Sequence, residues 1–322
     1  MRALVTGTAG FIGSHLAEAL LRRGDDVLGI DALTSYYDLG QKREALDRLQ
    51  AYENFTSVQV DLRTAPLDEF AHGCDVVFHQ AAQPGVRASW GAFTSYVEHN
   101  VLVTQRVLDA ARAADVQRLV YASSSSVYGN SPVYPTREDQ LPRPHSPYGV
   151  TKLAGEQLVR LYGENWGLST VSLRYFTVYG PGQRPDMAMH RLLEGVLRGQ
   201  TFPLYGDGSA VRDFTYVDDV VQANLRAAEV PLTPGTVVKV AGGGSISMRD
   251  LLSMVQVVTG RPVEVQTRAA QAGDVAVTGG DISAAKEVLG WTPSVGVQEG
   301  LTSQFAYHVA RRRARTSIGH GR

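Results

Sequence analysis

Tyr148 and Lys152 stand four residues apart, a spacing that sets a phenol and an ammonium on one face of a helix. Ser146 and Pro147 precede them, a hydroxyl N-cap and a proline suited to the first helical position, so Tyr148 falls in the first turn. A neighbouring cation and a helix N-terminus both favour a phenolate, the form of tyrosine that acts as a base. A free tyrosine has a pKa of about 10, so base strength near neutral pH needs a shift of roughly 3 units, worth about 4 kcal/mol. Those two features, joined by a cofactor's positive charge, are of the size to supply it. Only four of the 31 basic residues are lysine, which makes a lysine at this position less incidental. Just upstream, the apolar stretch 119–122 runs into four consecutive hydroxyls, Ser123 to Ser126, and then Val127-Tyr128-Gly129.

The elements that position this pair begin at the N-terminus. Residues 2–6 read as a short apolar strand, followed at once by Gly7-Thr8-Ala9-Gly10-Phe11-Ile12-Gly13 and an amphipathic helix through Leu21. Strand, glycine turn and helix in that order form a dinucleotide cradle: glycines let the backbone approach a pyrophosphate, and the helix N-terminus offers it unpaired N–H groups. Gly7, Gly10, Phe11, Ile12 and Gly13 are therefore the expected cofactor contacts, although the G-x-x-G-x-x-G spacing is one residue longer than the usual fingerprint. A second strand, 27–30, ends in Asp31, where an acid can accept hydrogen bonds from the adenosine ribose and repel a 2′-phosphate, which favours NAD over NADP. A third strand, 55–60, ends in Asp61-Leu62 and a fourth, 75–79, leads to Ala81-Ala82; these four residues are expected to flank adenine and pyrophosphate. His79 reads as a packed strand residue rather than a base. A helix over 93–113 carries one core face and a second face suited to a dimer contact, together with the helix after Tyr148; Asn100 within it is either a holder of backbone or water near the site or a buried structural amide. A further strand spans 169–174.

This alternation predicts an α/β chain: a Rossmann-type doubly wound parallel sheet with a smaller α/β substrate-binding domain. The expected division gives the NAD-binding domain to 1–174, completed by 214–242, and the substrate domain to 175–213 and 243–310, with a helix at 188–198 and a hairpin-like segment around Gly206-Asp207-Gly208. Residues 311–322, with Arg311, Arg312, Arg313 and Arg315, read as a solvated basic tail. The net charge of −1 gives no electrostatic case for nucleic acid or an anionic membrane, so any phosphate must be met locally. Cys74 is the lone cysteine, which removes disulfide frameworks and cysteine metal clusters and suits a reducing cytoplasm. A first strand at Arg2 leaves no room for a signal peptide, no apolar run reaches membrane-spanning length, and no metal site is expected.

Taken together, the glycine turn, Asp31, Asp61-Leu62, the serine run before Val127-Tyr128-Gly129, Tyr148-x-x-x-Lys152 and Arg212-Asp213-Phe214 resemble the extended short-chain dehydrogenase/reductases, specifically the nucleotide-sugar epimerases and dehydratases. The resemblance implies that Ser124 hydrogen-bonds the reacting sugar hydroxyl, that Tyr148 is the acid/base, that Lys152 binds the nicotinamide ribose, and that Arg212 meets the diphosphate of a sugar nucleotide. It also implies a homodimer. Within the family, residues 31–38, 83–87, 176–181 and 184–188 are most similar to UDP-glucuronate 4-epimerases, which convert UDP-glucuronate to UDP-galacturonate through a 4-keto sugar. Ser125, Ser126 and Thr177 would then bind the sugar carboxylate, with Arg87 and Arg184 as further sugar or nucleotide contacts. The chain departs from that pattern at Ala32, at Pro84, and at Gly182-Gln183, where tryptophan-glycine is usual. Dehydratases of the family carry an Asp-Glu pair and decarboxylases a glutamate where this chain has Ser125 and Ser126. A UDP-glucose/UDP-galactose epimerase, a uronate decarboxylase and an NAD-sensing binding protein remain alternatives, the last opposed by Ser124, Tyr148 and Lys152.

Overall fold

Short apolar runs alternating with amphipathic helices assemble, over the first three quarters of the chain, into one parallel sheet. The structure is a computed structural model that describes residues 1–269 and 273–319. Strands β1 (Arg2–Thr6), β2 (Asp26–Asp31), β3 (Phe55–Gln59), β4 (Val76–His79), β5 (Arg118–Ser124) and β6 (Thr170–Tyr175) are followed by β7 (Thr177–Tyr179), β8 (Phe202–Tyr205), β9 (Val211–Tyr216), β10 (Thr236–Val240), β11 (Ser245–Ser247) and β12 (Val265–Arg268). Helices α1 (Phe11–Arg22), α2 (Leu39–Gln50), α3 (Leu67–Ala71), α4 (Phe93–Val97), α5 (Val103–Ala113) and α6 (Pro147–Trp166) precede α7 (Ala188–Arg198), α8 (Val217–Glu229), α9 (Met248–Thr259), α10 (Ser283–Leu289) and α11 (Val297–Gly319).

The main sheet runs β3-β2-β1-β4-β5-β6-β10 with every neighbour parallel. This is the Rossmann-type doubly wound sheet that the alternation predicts. Thr6 pairs with both Ile30 and His79, so the chain order reverses between β1 and β4 and a crevice opens beyond their C-terminal ends. One face is covered by α1 and α8 through Leu16, Leu20, Val220 and Val221; the other carries Val107, Leu108, Val159 and Tyr162 from α5 and α6. The boundary expected at 213/214 falls inside β9, which lies between β7 and β11 in a second, three-stranded sheet. Among the described residues no helix is long and apolar enough to cross a membrane.

Three expectations are corrected. The helix over 93–113 is interrupted: residues Glu98–Leu102 form a π-helical turn between α4 and α5. The wider turn aims Asn100 inward, where its amide accepts from the Gln83 backbone N–H at 2.7 Å and donates to Gln83 O and to Thr151 Oγ1 at 3.1 and 3.0 Å. Gly155 lets α6 approach this turn and β5, since a Cβ there would lie 3.0 Å from Asn100 O and 2.3 Å from the Tyr121 hydroxyl. The segment around Gly206-Asp207-Gly208 is a turn but not a hairpin, because β8 pairs with β12 while β9 pairs with β7 and β11. The basic C-terminal segment is not a loose tail: α11 extends through it and Arg311 forms a two-pronged ion pair with Glu44 of α2 at 2.8 and 3.1 Å, while Arg312 and Arg313 are exposed. Residues 320–322 of the expected tail lie outside the described residues.

A buried charge pair fixes α6 to the sheet. Arg174 of β6 meets Glu156 of α6 through Nε and Nη2 at 2.9 and 2.6 Å, with the two side chains 4% and 1% exposed. The Ser123 hydroxyl donates to the same carboxylate at 2.6 Å, and Arg174 also donates to the Tyr128 hydroxyl. Three elements and the loop after β5 are thereby tied by buried polar groups. Removing one partner of such a pair strands the other, which typically costs about 3–5 kcal/mol. Arg174→Leu is therefore expected to lower the unfolding free energy by roughly that amount, read as a shifted midpoint in chemical denaturation; a variant within error of the parent would remove this role.

Candidate active site

The crevice at the C-terminal edge of the sheet collects the residues that the sequence singles out for a dinucleotide. Gly7, Gly10, Phe11, Ile12, Gly13, Asp31, Asp61, Leu62, Ala81 and Ala82 line it, together with Tyr148, Lys152 and Arg184. The glycine turn fits a pyrophosphate for a structural reason. Gly7 has φ +75° and a Cβ on it would lie 2.8 Å from Ala81 N, while one on Gly13 would lie 2.2 Å from Gly7 O, so the turn tolerates no side chains where it closes over β4. Gly10 begins α1 without a side-chain cap, and the first turn of α1 has no acid, which leaves the positive end of a 12-residue helix directed at the crevice. Asp31 is braced for its place at the end of β2: its carboxylate accepts from Ala9 N at 3.1 Å and Leu33 N at 2.7 Å. Asp61 is held by Arg63 at 2.8 Å, which lowers its pKa.

Helix α6 delivers the acid/base pair. Ser146 Oγ accepts from Gly149 N at 3.1 Å and Pro147 occupies the first turn, so Tyr148 enters the crevice wall at the helix start. Lys152 sits one turn on and is buried, its Nζ donating to Ala122 O at 2.8 Å and lying 5.1 Å from the Tyr121 ring centroid. The electrostatics of the pair differ from the expectation. Among the described residues no carboxylate pairs with Lys152, and burial pushes its pKa down to about 7. Burial raises the Tyr148 pKa, opposed by a hydrogen bond with Ser124 and by the Arg184 cation. In the protein alone the phenol therefore stays protonated, with Arg184 a cation that opposes the effect of burial. His79 is a packed residue: its two ring nitrogens are bonded to Thr6 and Thr104 at 2.8 and 3.1 Å, and burial pushes its pKa down to about 3.

Ser124, Ser125, Ser126, Thr177, Arg87 and Arg212 lie outside the lining of that crevice. Ser124 closes β5, with its hydroxyl accepting from Ser126 N at 3.1 Å. Ser124 pairs with Tyr175 across β5 and β6, so Ser125-Ser126 and Thr177 leave adjacent strands at one level. Thr177 pairs with Phe214 of β9, two residues beyond Arg212. The Arg212 guanidinium reaches only backbone carbonyls, Val211 O at 2.8 Å and Ala276 O at 3.2 Å, and its desolvation lowers its pKa. Arg87 pairs with Asp274 at 2.8 Å and lies 4.2 Å from the Tyr205 ring centroid. Asp274 and Arg87 both act on Arg212, which makes these three a second charged group apart from the crevice.

Sequence reasoning missed several crevice residues. Lys42 is buried, with Nζ 3.2 Å from Thr34 Oγ1, 4.0 Å from Asp31 and 4.9 Å from the Tyr37 ring centroid. The scarcity of lysine that marks Lys152 marks Lys42 equally, four residues after the Asp38 cap of α2. Tyr36, Tyr37, Gln80, Gln83, His99 and Tyr175 also line the crevice.

Comparison with known proteins places this arrangement. A family model described as the NAD dependent epimerase/dehydratase family matches residues 3–241. The uncharacterized UDP-glucose epimerase YtcB of Bacillus subtilis (strain 168) is 41% identical over 309 residues, 95% of this chain and 98% of its own. A UDP-glucuronate 4-epimerase of Thermodesulfobacterium geofontis (strain OPF15) is 37% identical over 92% of this chain and 93% of its own. The crystal structure of UDP-glucuronic acid 4-epimerase from Bacillus cereus in complex with UDP-glucuronic acid and NAD superposes with a TM-score of 0.94 at 39% identity, covering 97% of this chain and 100% of that one.

The burial of Lys152 without a counter-charge gives a direct prediction. With only four lysines in the chain, ¹³C-labelled lysine side chains are resolvable by NMR, and in NAD-free protein the Lys152 signal should titrate with a midpoint near 7, protonated below and neutral above. A midpoint at the ordinary lysine value of about 10.4 would refute the desolvated setting.

Proposed function

The chain belongs to the NAD dependent epimerase/dehydratase family, and we propose that within it the protein epimerises UDP-glucuronate at C4 to UDP-galacturonate through a 4-keto sugar. Its cofactor is NAD, for which the glycine turn, the uncapped start of α1 and Asp31 form a fitting cradle. When bound, NAD supplies the chemistry that the side chains lack, acceptance of the C4 hydride and its return.

Each proposed role follows from placement. Tyr148, as the phenolate, takes the proton of the C4 hydroxyl as the hydride leaves and gives it back on reduction; Ser124 and Arg184 oppose the burial that keeps the phenol protonated in the protein alone. Ser124 orients the reacting oxygen. Lys152, anchored on Ala122 O, retains further N–H donors for the nicotinamide ribose. Arg212, desolvated and bonded only to carbonyls, is suited to an anionic diphosphate, and Arg87 stands beside it. We assign Arg212 to a substrate domain formed by 175–213 and 243–310, with Arg87 supplied by the NAD-binding domain.

The observation that carries the uronate reading is the hydroxyl set Ser125, Ser126 and Thr177, which leaves adjacent strands at one level with no acid among them. Neutral donors suit a sugar carboxylate, and an acid at Ser125 or Ser126 would repel it. Similarity to YtcB favours a second reading, interconversion of UDP-glucose and UDP-galactose. Incubation with a panel of UDP-sugars and identification of the products separates the two. The wild type should form UDP-galacturonate, and Tyr148→Phe should abolish turnover while retaining NAD. A 4-keto uronate is a β-keto acid that loses carbon dioxide when its carboxylate bond aligns with the carbonyl π system. Each hydrogen bond to the carboxylate is worth roughly 1.5 to 3 kcal/mol, so Thr177→Ala should divert product to a UDP-4-keto-pentose by about ten-fold or more. Turnover of UDP-glucose alone would move the assignment to the second reading.

We also propose a homodimer through α4, α5 and α6. Phe93, Leu102, Val150, Leu161 and Trp166 on and between these helices are exposed apolar side chains, between 41% and 55% accessible. Light scattering at micromolar concentration should return twice the 34.8 kDa chain mass; a monomer would refute the dimer.

A further inference from the structure

The pair Gly182-Gln183, which departs from the usual tryptophan-glycine, lies in the loop between β7 and α7 immediately before Arg184. A polar residue at this point is buried to 1% exposure, which requires partners for every polar group. Gln183 has them. Its Nε2 donates to Val178 O at 2.9 Å, while its Oε1 accepts from His190 N at 3.0 Å and from Gln304 Nε2 at 2.9 Å. Its backbone carbonyl takes two more bonds, from His190 Nδ1 at 2.8 Å and Gln41 Nε2 at 3.2 Å. Gln304 completes the ring by accepting from Gly180 N at 3.1 Å, and Gln41 also donates to Gly182 O at 2.7 Å. One side chain thus ties the loop to its own strand, to α7 and to the distant helix α11, and its backbone ties it to α2.

We propose that Gln183 is a positioning residue: its carboxamide, locked between β7, α7 and α11, fixes the next residue, Arg184, on the crevice wall that it shares with Tyr148. Arg184 lies in the loop and not on a helix; its guanidinium bonds Asp186 of the same loop, at 3.0 Å through both Nε and Nη2, and lies 6.0 Å from the Tyr36 ring centroid. The hub is thus a link that carries the body of the fold, through the backbone next to Arg184, to this cation. It rests on the proposed function insofar as Arg184 serves a nucleotide sugar, yet its effect on the phenol needs no substrate. The groups facing Tyr148 are Ser124 and Arg184, with Lys152 one turn on along α6, the Tyr96 ring 6.3 Å away, and Tyr36 and Tyr121 also interacting with it. Among them Arg184 is a cation that holds the phenol down.

The Tyr148 midpoint is measured in protein without substrate as the difference in phenolate absorbance between each background and the same background carrying Tyr148→Phe. Gln183→Leu should raise that midpoint in the direction that Arg184→Leu raises it, and the double variant should match Arg184→Leu alone. With substrate, Gln183→Leu should raise KM about tenfold with a smaller change in kcat. Leu289→Ala, which opens a cavity in buried α10, should lower the melting temperature without moving the midpoint. Gln304→Leu, which removes one bond from the carboxamide, should shift the midpoint in the same direction by less, and decides the matter should Gln183→Leu not fold. An unmoved midpoint in the folded variant, or independent effects of Gln183→Leu and Arg184→Leu, overturns the proposal. Wild-type protein that fails to epimerise any UDP-sugar, yet shows these shifts, counts against the assigned reaction and not against the hub.

Discussion

The ion pair between Arg174 and Glu156 is the constraint on which the site depends. Tyr148 and Lys152 lie on α6, Ser124 at the end of β5 and Thr177 just after β6, so their relative placement is set by how these three elements are clamped. The pair does that clamping with a planar fork of donors against a carboxylate, a geometry that admits little rotation. Ser123 donates to the same carboxylate and Tyr128 accepts from the same guanidinium, which extends the clamp to both ends of the hydroxyl run. A buried pair of this kind contributes little net stability against an apolar replacement of both partners, because desolvation offsets much of the Coulomb gain. What it contributes here is position.

Charge elsewhere in the site is deliberately unbalanced by comparison. Buried Lys152 and half-buried Arg212 hydrogen-bond backbone carbonyls, and desolvation lowers the pKa of each, against the nearby Asp274 in the case of Arg212. Buried Arg174 instead has its pKa raised because Glu156 answers it. The contrast separates a cation with a buried counter-charge from two whose hydrogen bonds go to carbonyls. A chain of net charge −1 meets phosphate only where such local deficits occur.

The parts legible in the sequence are those written in local spacing. Gly7, Gly10 and Gly13 sit within a single turn, Asp31 follows a strand directly, and Tyr148 and Lys152 share one helical face, so period and turn chemistry suffice to find them. The parts that escaped are contacts between residues far apart in the chain. Glu156 and Arg174 are 18 residues apart, Arg311 reaches Glu44 across 267, and the bonds around Gln183 come from residues 41, 190 and 304. The partner of Lys152 escaped for a related reason. Helical spacing fixes which face the ammonium occupies but not what it bonds, and the Ala122 carbonyl near the end of β5 takes one of its N–H groups. The π turn at 98–102 was likewise hidden, since the bonds that accompany it, from Asn100 to Gln83 and Thr151, join separate segments of the chain.

The central claim is that one molecule of protein removes hydrogen from C4 of the sugar and returns it to the same carbon on the opposite face. UDP-glucuronate carrying deuterium at C4, incubated with the purified protein and NAD in ordinary water, tests this most directly by NMR and mass of the product. A closed cycle requires UDP-galacturonate that keeps its deuterium at C4. Product that has exchanged the label with water, or label accumulating in released reduced cofactor with no inverted sugar, would contradict it.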